Sequence, residues 1–461
     1  MYIAWPTRLS PISYGGIVAL AGVLVPVMTL SAETLEDSVS RALTFNPEVG
    51  VVQSDRRAID HELRQARALY MPSIDLRTAI GPEYTNSTGT RGRDTRPPGG
   101  NAHSTLMRLE SQVTLTQMLF DGYATDSEVA KQLARTNSAA YRVTEAAEFI
   151  ALDAIEAHLD VLRNLELLRQ SEQNLAAHRA LLNRIREDKG FNRIKISEVH
   201  LTEARYASAV ESLARAEGNL RDAKARYVKV TGITPKELEN RPVPSQMLPA
   251  GVEAAARRAG KYSPTIRIAN ADIDVAKADL KGSRSGYYPR FDLELGAGAN
   301  AQIDGITGSN VDGQALLVMR YNLFRGGGDI AREREAFSRL GESRETLRRA
   351  ENEAREQARL SYIALQTAKE RVGALSDQTD ANAATRTGFE EEFDAGERDV
   401  LDLLDIENEY YLSKSLLTTA EYTRDFAVYR VLAVTGDLLP TLDIDHPKES
   451  INIWRDRPRD P

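Results

Sequence analysis

The sequence contains no cysteine, and this absence excludes several kinds of site. A disulfide bond, a CxxC redox motif, a thiolate zinc site and a lipid on an N-terminal cysteine all require that residue. The six histidines are scattered and form no HExxH motif, so we predict no metal site. The glycine run 326–328 lacks the GKS or GKT ending of a phosphate-binding loop, and no Ser/His/Asp set can be assigned. We therefore expect a protein that is not an enzyme and binds no cofactor.

Aromatic residues are also scarce, at 6% of the 461 residues, whereas 27% are charged. Few aromatic residues together with abundant Ala, Leu, Glu and Arg favour long helices or coiled coils. The net charge is −8 and the chain has no basic block. This composition argues against nucleic acid as a partner.

The first 32 residues are typical of a secretory signal peptide. Arg8 precedes the mostly apolar run GGIVALAGVLVPVMTL, which ends at Ser31-Ala32 before Glu33. An uncleaved anchor helix is the alternative interpretation of the same segment.

An internal duplication organises the rest of the chain. The segments FNPEV and YMPSIDL of the first half match YSPTI and YYPRFDL of the second half at an offset of 217. Their two prolines are 25 residues apart in both halves: Pro47 and Pro72, then Pro264 and Pro289. The later matches keep a constant offset of 204: LFDG with LFRG, EARY with ENEY, and VTG with VTG. Such a constant offset indicates two copies of one unit.

The duplication divides the chain into five parts. They are a signal peptide (1–32), a first repeat (33–232), a Pro-rich linker (233–251), a second repeat (252–439) and a charged, Pro-rich tail (440–461) that we predict to be disordered. In the first repeat we expect a helix over 35–70, interrupted at Pro47. A helix without Gly or Pro over 124–189, on the order of 100 Å long, and a return helix of about half that length over 196–232 follow.

Four segments of alternating apolar and polar residues interrupt the helical pattern. They lie at about 73–84, 108–120, 290–300 and 313–324. Their length suits tilted strands that cross a bilayer, with one side toward lipid and the other toward water. Four strands leave two open edges, so closure into a barrel needs several copies, and three copies give twelve strands. The alternative is a soluble β-hairpin with a coiled coil, whose alternation comes from a half-buried sheet.

These features together resemble the TolC family of outer-membrane channel proteins along nearly all of the mature sequence. The resemblance is carried by the duplicated ALTFNPEV-type segment, by LFDG and LFRG, and by FDAGERDVLDLLDIENEY at 393–410. It implies a mainly α-helical homotrimer with a 12-stranded transmembrane β-barrel in outer-membrane lipid, continued by a long α-helical barrel in the periplasm. It also implies two kinds of partner: a periplasmic adaptor (membrane fusion protein) and an inner-membrane pump, either an ABC exporter or a proton-driven pump.

The acidic stretch 393–410 contains the candidate site. Gly396 lies where the second long helix must reverse, far from the strands, which places the acids at the periplasmic mouth of the tube. Asp402 and Asp405 are three residues apart and share a helix face, and in a trimer each would form a ring that attracts cations. The resemblance places the family's selectivity aspartates at these two positions. A solvated acidic helix face is the alternative.

The resemblance further implies a latch that keeps the mouth closed through contacts between neighbouring tips. Arg398 matches the family's gating arginine, and Ser197 and Glu198 match its partners. Phe393 stands where the family often has a tyrosine, so one hydrogen bond of the latch is missing here.

The resulting prediction is a passive exit duct of a tripartite export system. The stretch GERDVLDLLDIENE is more similar to family members that serve type I protein secretion than to drug-efflux members, and multidrug efflux is the alternative. A periplasmic coiled-coil scaffold without a pore is the alternative of another class.

Overall fold

The computed structural model of the chain describes residues 33–87, 90, 103–188, 195–240 and 242–451. The predicted signal peptide (1–32) and residues 452–461 of the predicted tail lie outside these ranges.

Helices account for most of the described residues, as the composition predicts. They are α1 (Leu35–Phe45), α2 (Pro47–Ala68), α3 (Ala124–Asp188), α4 (Ile196–Thr231), α5 (Val252–Tyr262), α6 (Pro264–Ser283), α7 (Gly328–Asp394), α8 (Val400–Thr435) and α9 (Leu438–Thr441). Short 3-10 helices occupy Ser245–Met247, Arg284–Tyr287 and Lys448–Ser450. The order of two helices, two strands and two long helices occurs twice, so the duplicated sequence forms a duplicated structure.

The break between α1 and α2 follows from two adjacent residues. Asn46 adopts an extended conformation, and its side chain accepts a hydrogen bond from the backbone N–H of Glu48 at 2.9 Å. Pro47 then takes the first helical position, where its missing N–H leaves no hydrogen bond unmade. The same arrangement of a proline at the first position recurs at Pro264 of α6. The expected helix over 35–70 is therefore two helices.

Two long antiparallel hairpins dominate the helical part. Helix α3 has 65 residues and α7 has 67, whereas the return helices α4 and α8 have 36 each. At about 1.5 Å per residue, α3 and α7 each extend roughly 100 Å. Helix α2 lies along α3, and α6 contacts both α3 and α7, so the short helices fill the space that the half-length return helices leave. Within the described ranges, none of the helices has an apolar stretch long enough to span a membrane.

A large buried cluster joins the two repeats. Val39 of α1 and Ile155 of α3 belong to the first repeat, and Leu432 of α8 and Leu438 of α9 belong to the second; all four side chains are fully buried. Burial of one such aliphatic side chain stabilises the fold by about 1.5–3 kcal/mol. This cluster therefore fixes the repeats to each other at the level of α1 and α9.

One antiparallel sheet contains the strands in the order β1-β2-β3-β4. They are β1 (Ser73–Thr85), β2 (Ser104–Phe120), β3 (Arg290–Ala301) and β4 (Ser309–Arg320). One row across the register consists of Ile74, Leu115, Leu295 and Ala315, and the next consists of Asp75, Thr114, Gly296 and Gln314. Because successive residues of a strand point to opposite faces, the sheet has one apolar face and one polar face.

The chain leaves the sheet through the LFDG motif, whose glycine is constrained by space. Gly122 has a φ of +68°, and a Cβ atom there would lie 2.7 Å from the carbonyl oxygen of Ser285. Only glycine accommodates both the left-handed backbone and this close approach. The motif therefore marks the bend at which β2 turns into α3.

Strand β4 ends earlier than the sequence predicts, at Arg320 instead of 324. Its neighbour β3 begins at Arg290, directly opposite Arg320. The preceding residue, Pro289, has no N–H with which to extend the ladder. Pairing therefore stops at this position.

The prediction of a disordered tail is wrong for residues 440–451. The end of α9 and the 3-10 helix Lys448–Ser450 lie in this segment. Leu442 is 8% exposed within the large buried cluster, and Ile444 packs against the same cluster. These two apolar side chains anchor a segment whose overall composition is charged and Pro-rich.

Candidate functional site at the end of the helical hairpins

The turn between α7 and α8 is built around Gly396. The backbone N–H groups of Gly396 and Glu397 donate to the carbonyl oxygens of Phe393 at 3.0 Å and Glu392 at 2.9 Å. This pair of hydrogen bonds defines a Schellman motif, which needs a residue in the left-handed conformation. Gly396 supplies it with a φ of +79°. The glycine thus ends α7 at the reversal where the sequence places it.

Arg398 follows this turn and is held by its own hairpin. Its guanidinium donates hydrogen bonds to Glu392 and, at 3.1 Å, to Asp402, and lies 3.7 Å from the centre of the Phe389 ring. The hydrogen bond to Glu392 is the main cause that raises the pKa of Arg398 above its ordinary value. A guanidinium between two carboxylates and over an aromatic face has a defined orientation. Arg398 therefore fastens the start of α8 to the end of α7.

The two predicted selectivity aspartates are exposed, and each has an arginine beside it. The side chain of Asp402 is 49% exposed and pairs with Arg398. The side chain of Asp405 is 62% exposed and accepts a hydrogen bond from Arg205 of α4 at 2.7 Å. The counter-charge of Asp402 comes from its own hairpin, whereas that of Asp405 comes from the other hairpin.

The predicted latch residues Ser197 and Glu198 lie in the first turn of α4. The Glu198 carboxylate accepts a hydrogen bond from the backbone N–H of Lys195 at 3.3 Å and lies 3.8 Å from its Nζ. Ser197 is exposed. In the single chain the hydrogen bonds of Arg398 go to Glu392 and Asp402 instead. The latch between neighbouring copies stays a prediction.

A small apolar cluster, which we call the tip cluster, joins the ends of the two hairpins. It consists of Ile185, Val199, Val400 and Leu404, each at most 5% exposed. Phe393 packs against it, and the guanidinium of Arg184 lies 4.8 Å from the centre of the Phe393 ring while pairing with Asp394. The position where a tyrosine was expected thus holds an aromatic face that binds a cation.

One acid of the stretch is partly buried between the helices of its hairpin. Glu407 is 12% exposed and pairs with Arg386 at 2.8 Å. Burial raises the pKa of Glu407, and the positive charge of Arg386 opposes that rise. Glu407 therefore belongs to the packing of α7 against α8, unlike the exposed Asp402 and Asp405.

Sequence reasoning missed most of the partners at the tip. Arg184 and Arg205 lie in the first repeat, far in sequence from the aspartates that they bind, and no local spacing connects them. The pairing of Arg398 with Asp402 is local in the sequence: the arginine lies two residues before α8, and the aspartate is in its first turn.

The chemistry available to this arrangement is electrostatic. Exposed carboxylates attract cations and repel anions, and their ion pairs with arginine can break and re-form. Among the residues that the structure describes, no group of three His, Asp or Glu side chains is placed to hold a metal ion.

Comparisons with known proteins agree with the fold. The sequence model of the family described as "Outer membrane efflux protein" matches residues 256–437. The outer membrane efflux protein BepC of Brucella suis biovar 1 (strain 1330) is 24% identical over 423 residues, covering 91% of this chain and 89% of BepC. The outer membrane protein TolC of Escherichia coli (strain K12) is 22% identical over 406 residues, covering 85% of this chain and 80% of TolC.

A crystal structure of CusC superposes with a TM-score of 0.75 at 13% identity, covering 88% of this chain and 92% of CusC. The fold is therefore shared along nearly the whole chain. Along most of its length the chain is similar to TolC-like outer membrane efflux proteins, and residues 256–437 match the model of that family. The predicted family is confirmed, and so is the predicted location of this TolC-like protein, which lies in the outer membrane and extends into the periplasm.

Proposed function

We propose that three copies of the chain form the passive exit duct of a tripartite export system. Three four-stranded sheets close a 12-stranded β-barrel in the outer membrane, and the long hairpins continue it as an α-helical barrel in the periplasm. An inner-membrane pump supplies the energy, and a periplasmic adaptor connects the pump to the duct. The duct itself needs no cofactor and catalyses no reaction.

The observation that carries this proposal is a sheet with an exposed apolar face and two edges, β1 and β4, that pair with no other strand among the described residues. The edge strands carry six apolar side chains on that face, each more than 60% exposed: Ile74, Leu76, Ile80, Val311, Leu317 and Met319. Such an edge in water would promote aggregation. Lipid accepts the apolar face, but a bilayer requires every backbone N–H and C=O group to be paired. Both requirements are met when the edges close on other copies.

The directions of the strands support this closure. Each neighbouring pair in the sheet is antiparallel, so β1 and β4 run in opposite directions. The β4 edge of one copy can therefore pair in antiparallel fashion with the β1 edge of the next. Three copies give an even number of strands, within the range of outer-membrane barrels.

The position of the tip supports its assignment as the periplasmic mouth. Gly396 follows the 67 residues of α7, which begin just after β4, so the turn lies roughly 100 Å from the sheet. Asp402 and Asp405 then face passing ions as two rings of three carboxylates. Arg398 orders each tip, and its latch to Ser197 and Glu198 of a neighbouring copy is part of the proposal.

Type I protein secretion is the proposed use of the duct, supported by the similarity of GERDVLDLLDIENE to family members with that role. Small-molecule efflux is the second candidate, favoured by the description of the matching family and by the name of BepC. Co-expression with an ABC exporter and its adaptor, or with a proton-driven pump and its adaptor, separates the two uses. Secreted protein in the medium supports the first, and lowered drug sensitivity supports the second.

The duct itself is tested with the mature chain extracted from outer membranes in detergent. We expect trimer bands on unheated gels that collapse to monomer on heating, and ion currents in planar bilayers. Ile80→Arg places a charge on the apolar face at the middle of β1 and should abolish insertion, since arginine near the bilayer centre costs about 2–4 kcal/mol. Ala79→Arg on the polar face of the same strand is the matched control and should still insert. A monomer found only in the soluble periplasmic fraction would support the scaffold instead.

A further inference from the structure

Ion pairs at the tip fall into two classes according to the hairpins they join. Arg398 binds Glu392 and Asp402 within the α7–α8 hairpin. Arg186 binds Glu203 at 2.8 Å within the α3–α4 hairpin. Among the described residues of the tip, two pairs join one hairpin to the other: Arg184 with Asp394, and Arg205 with Asp405 at 2.7 Å. Only this second class must break when the hairpins separate.

The contacts beneath these two pairs are limited. Between the hairpins at this end lies the tip cluster, to which α3 and α4 contribute Ile185 and Val199 and α8 contributes Val400 and Leu404. Helices α4 and α8 make few contacts with each other, whereas α3 packs along α8 farther from the tip, where the Gln170 amide donates a hydrogen bond to the Thr418 hydroxyl at 2.7 Å. Both inter-hairpin pairs are substantially exposed, so water weakens them. The hairpins are therefore joined at their ends by bonds weak enough to be reversed.

The two aspartates differ in what happens to their counter-charges when the hairpins part. Arg398 moves with Asp402, because both belong to the α7–α8 hairpin and lie four residues apart in the sequence. Arg205 stays with α4, while Asp405 moves with α8. Separation thus leaves the charge of Asp402 compensated and exposes the charge of Asp405.

We propose that Arg205 couples the charge selectivity of the mouth to its opening. While the hairpins are joined, Arg205 neutralises Asp405 and holds the mouth narrow. When they separate, three uncompensated Asp405 carboxylates face the widened mouth, and its preference for cations rises. This inference rests on the proposed trimeric duct and adds to it a residue that determines both width and selectivity.

The test compares single channels in planar bilayers under a salt gradient. Arg205→Gln and Asp405→Asn each break the same bridge in all three copies, so both should raise the ratio of high- to low-conductance occupancy, by roughly 3- to 150-fold. Their reversal potentials should shift in opposite directions, because one removes a positive charge and the other a negative charge. In the wild type, the cation preference should be larger in the high-conductance state than in the low-conductance state.

Arg186→Gln is the matched control. It removes the same charge from the tip but breaks only a bridge within one hairpin, so its occupancy of the high-conductance state should equal that of the wild type. Trimer bands on unheated gels show that each variant has assembled. Wild-type occupancy in Arg205→Gln, or opposite changes of occupancy in Arg205→Gln and Asp405→Asn, would overturn the inference alone. A wild-type protein that forms no channels refutes the proposed duct and this inference together.

Discussion

Glu148 makes the stability of the helical part depend on pH. Its side chain, on α3, is 3% exposed beneath α9. Burial raises the pKa of Glu148 to about 8, and the nearby Asp437 contributes to the rise. The backbone amides of Leu438 and Leu439 oppose it. In the described part of the chain, neither carboxyl oxygen of Glu148 has a hydrogen bond of normal geometry. Burial is therefore the largest influence on the pKa of this side chain.

The sign of the effect follows from comparing the folded and unfolded chains. The carboxyl loses its proton near pH 4.5 when unfolded and near pH 8 when folded. Between these values the folded state holds a proton that the unfolded state has released, so the free energy of unfolding falls as pH rises. At about 1.36 kcal/mol per pH unit, the decrease in the free energy of unfolding reaches on the order of 5 kcal/mol by pH 8, and above that pH it stays constant.

Glu148→Gln removes this titration while keeping the shape of the side chain. We expect equal melting temperatures of wild type and variant at pH 4.5, and an increasingly higher melting temperature of the variant up to pH 8. Circular dichroism at 222 nm on the detergent-extracted protein measures both. Glu356→Gln, at an exposed position of α7, is the control and should not change the pH dependence. A constant difference between wild type and Glu148→Gln from pH 4.5 to pH 8 would refute the reasoning.

Three further predictions concern the tip and the core. Arg398→Ser removes the proposed latch to Ser197 and Glu198 of a neighbouring copy and should raise trimer conductance in planar bilayers; an unchanged conductance would contradict a role of Arg398 in gating. Asp402→Asn combined with Asp405→Asn should weaken the cation preference, and identical reversal potentials in variant and wild type would contradict the carboxylate rings. Leu432→Ala should destabilise the fold by roughly 2–5 kcal/mol in denaturant unfolding because it opens a cavity in the large buried cluster. Leu401→Ala, at a position that is 40% exposed, should cost much less.

The sequence was sufficient for those features that depend on local rules. Pro47 and Pro264 start helices because a helix tolerates proline at its first position, and Gly396 reverses the chain because its backbone needs a positive φ. The strands were recognisable because residues that alternate in the sequence separate into two faces of one sheet. Each of these signals lies within a few residues of the element that it sets.

The partners at the tip could not be predicted because they depend on how distant helices pack. Arg205 and Asp405 are 200 residues apart, and their contact exists only because α4 and α8 end beside the same tip cluster. Leu442 shows the same limit for the tail. Its neighbours in the sequence suggest disorder, yet the core formed by α1, α3 and α8 accepts its side chain.

The strength of the inter-hairpin bonds suits a mouth that a partner opens. An exposed ion pair contributes about 0.2–1 kcal/mol, so two pairs in each of three proposed copies contribute about 1–6 kcal/mol in total. A partner that binds with micromolar affinity releases roughly 8 kcal/mol. If it binds only the separated hairpins, that free energy exceeds the sum of the bonds to be broken. In the proposed duct, bonds of this size would keep an isolated mouth closed and still let a docked adaptor open it. A pair between the hairpins that was as shielded from water as Glu407 with Arg386 would resist separation more strongly.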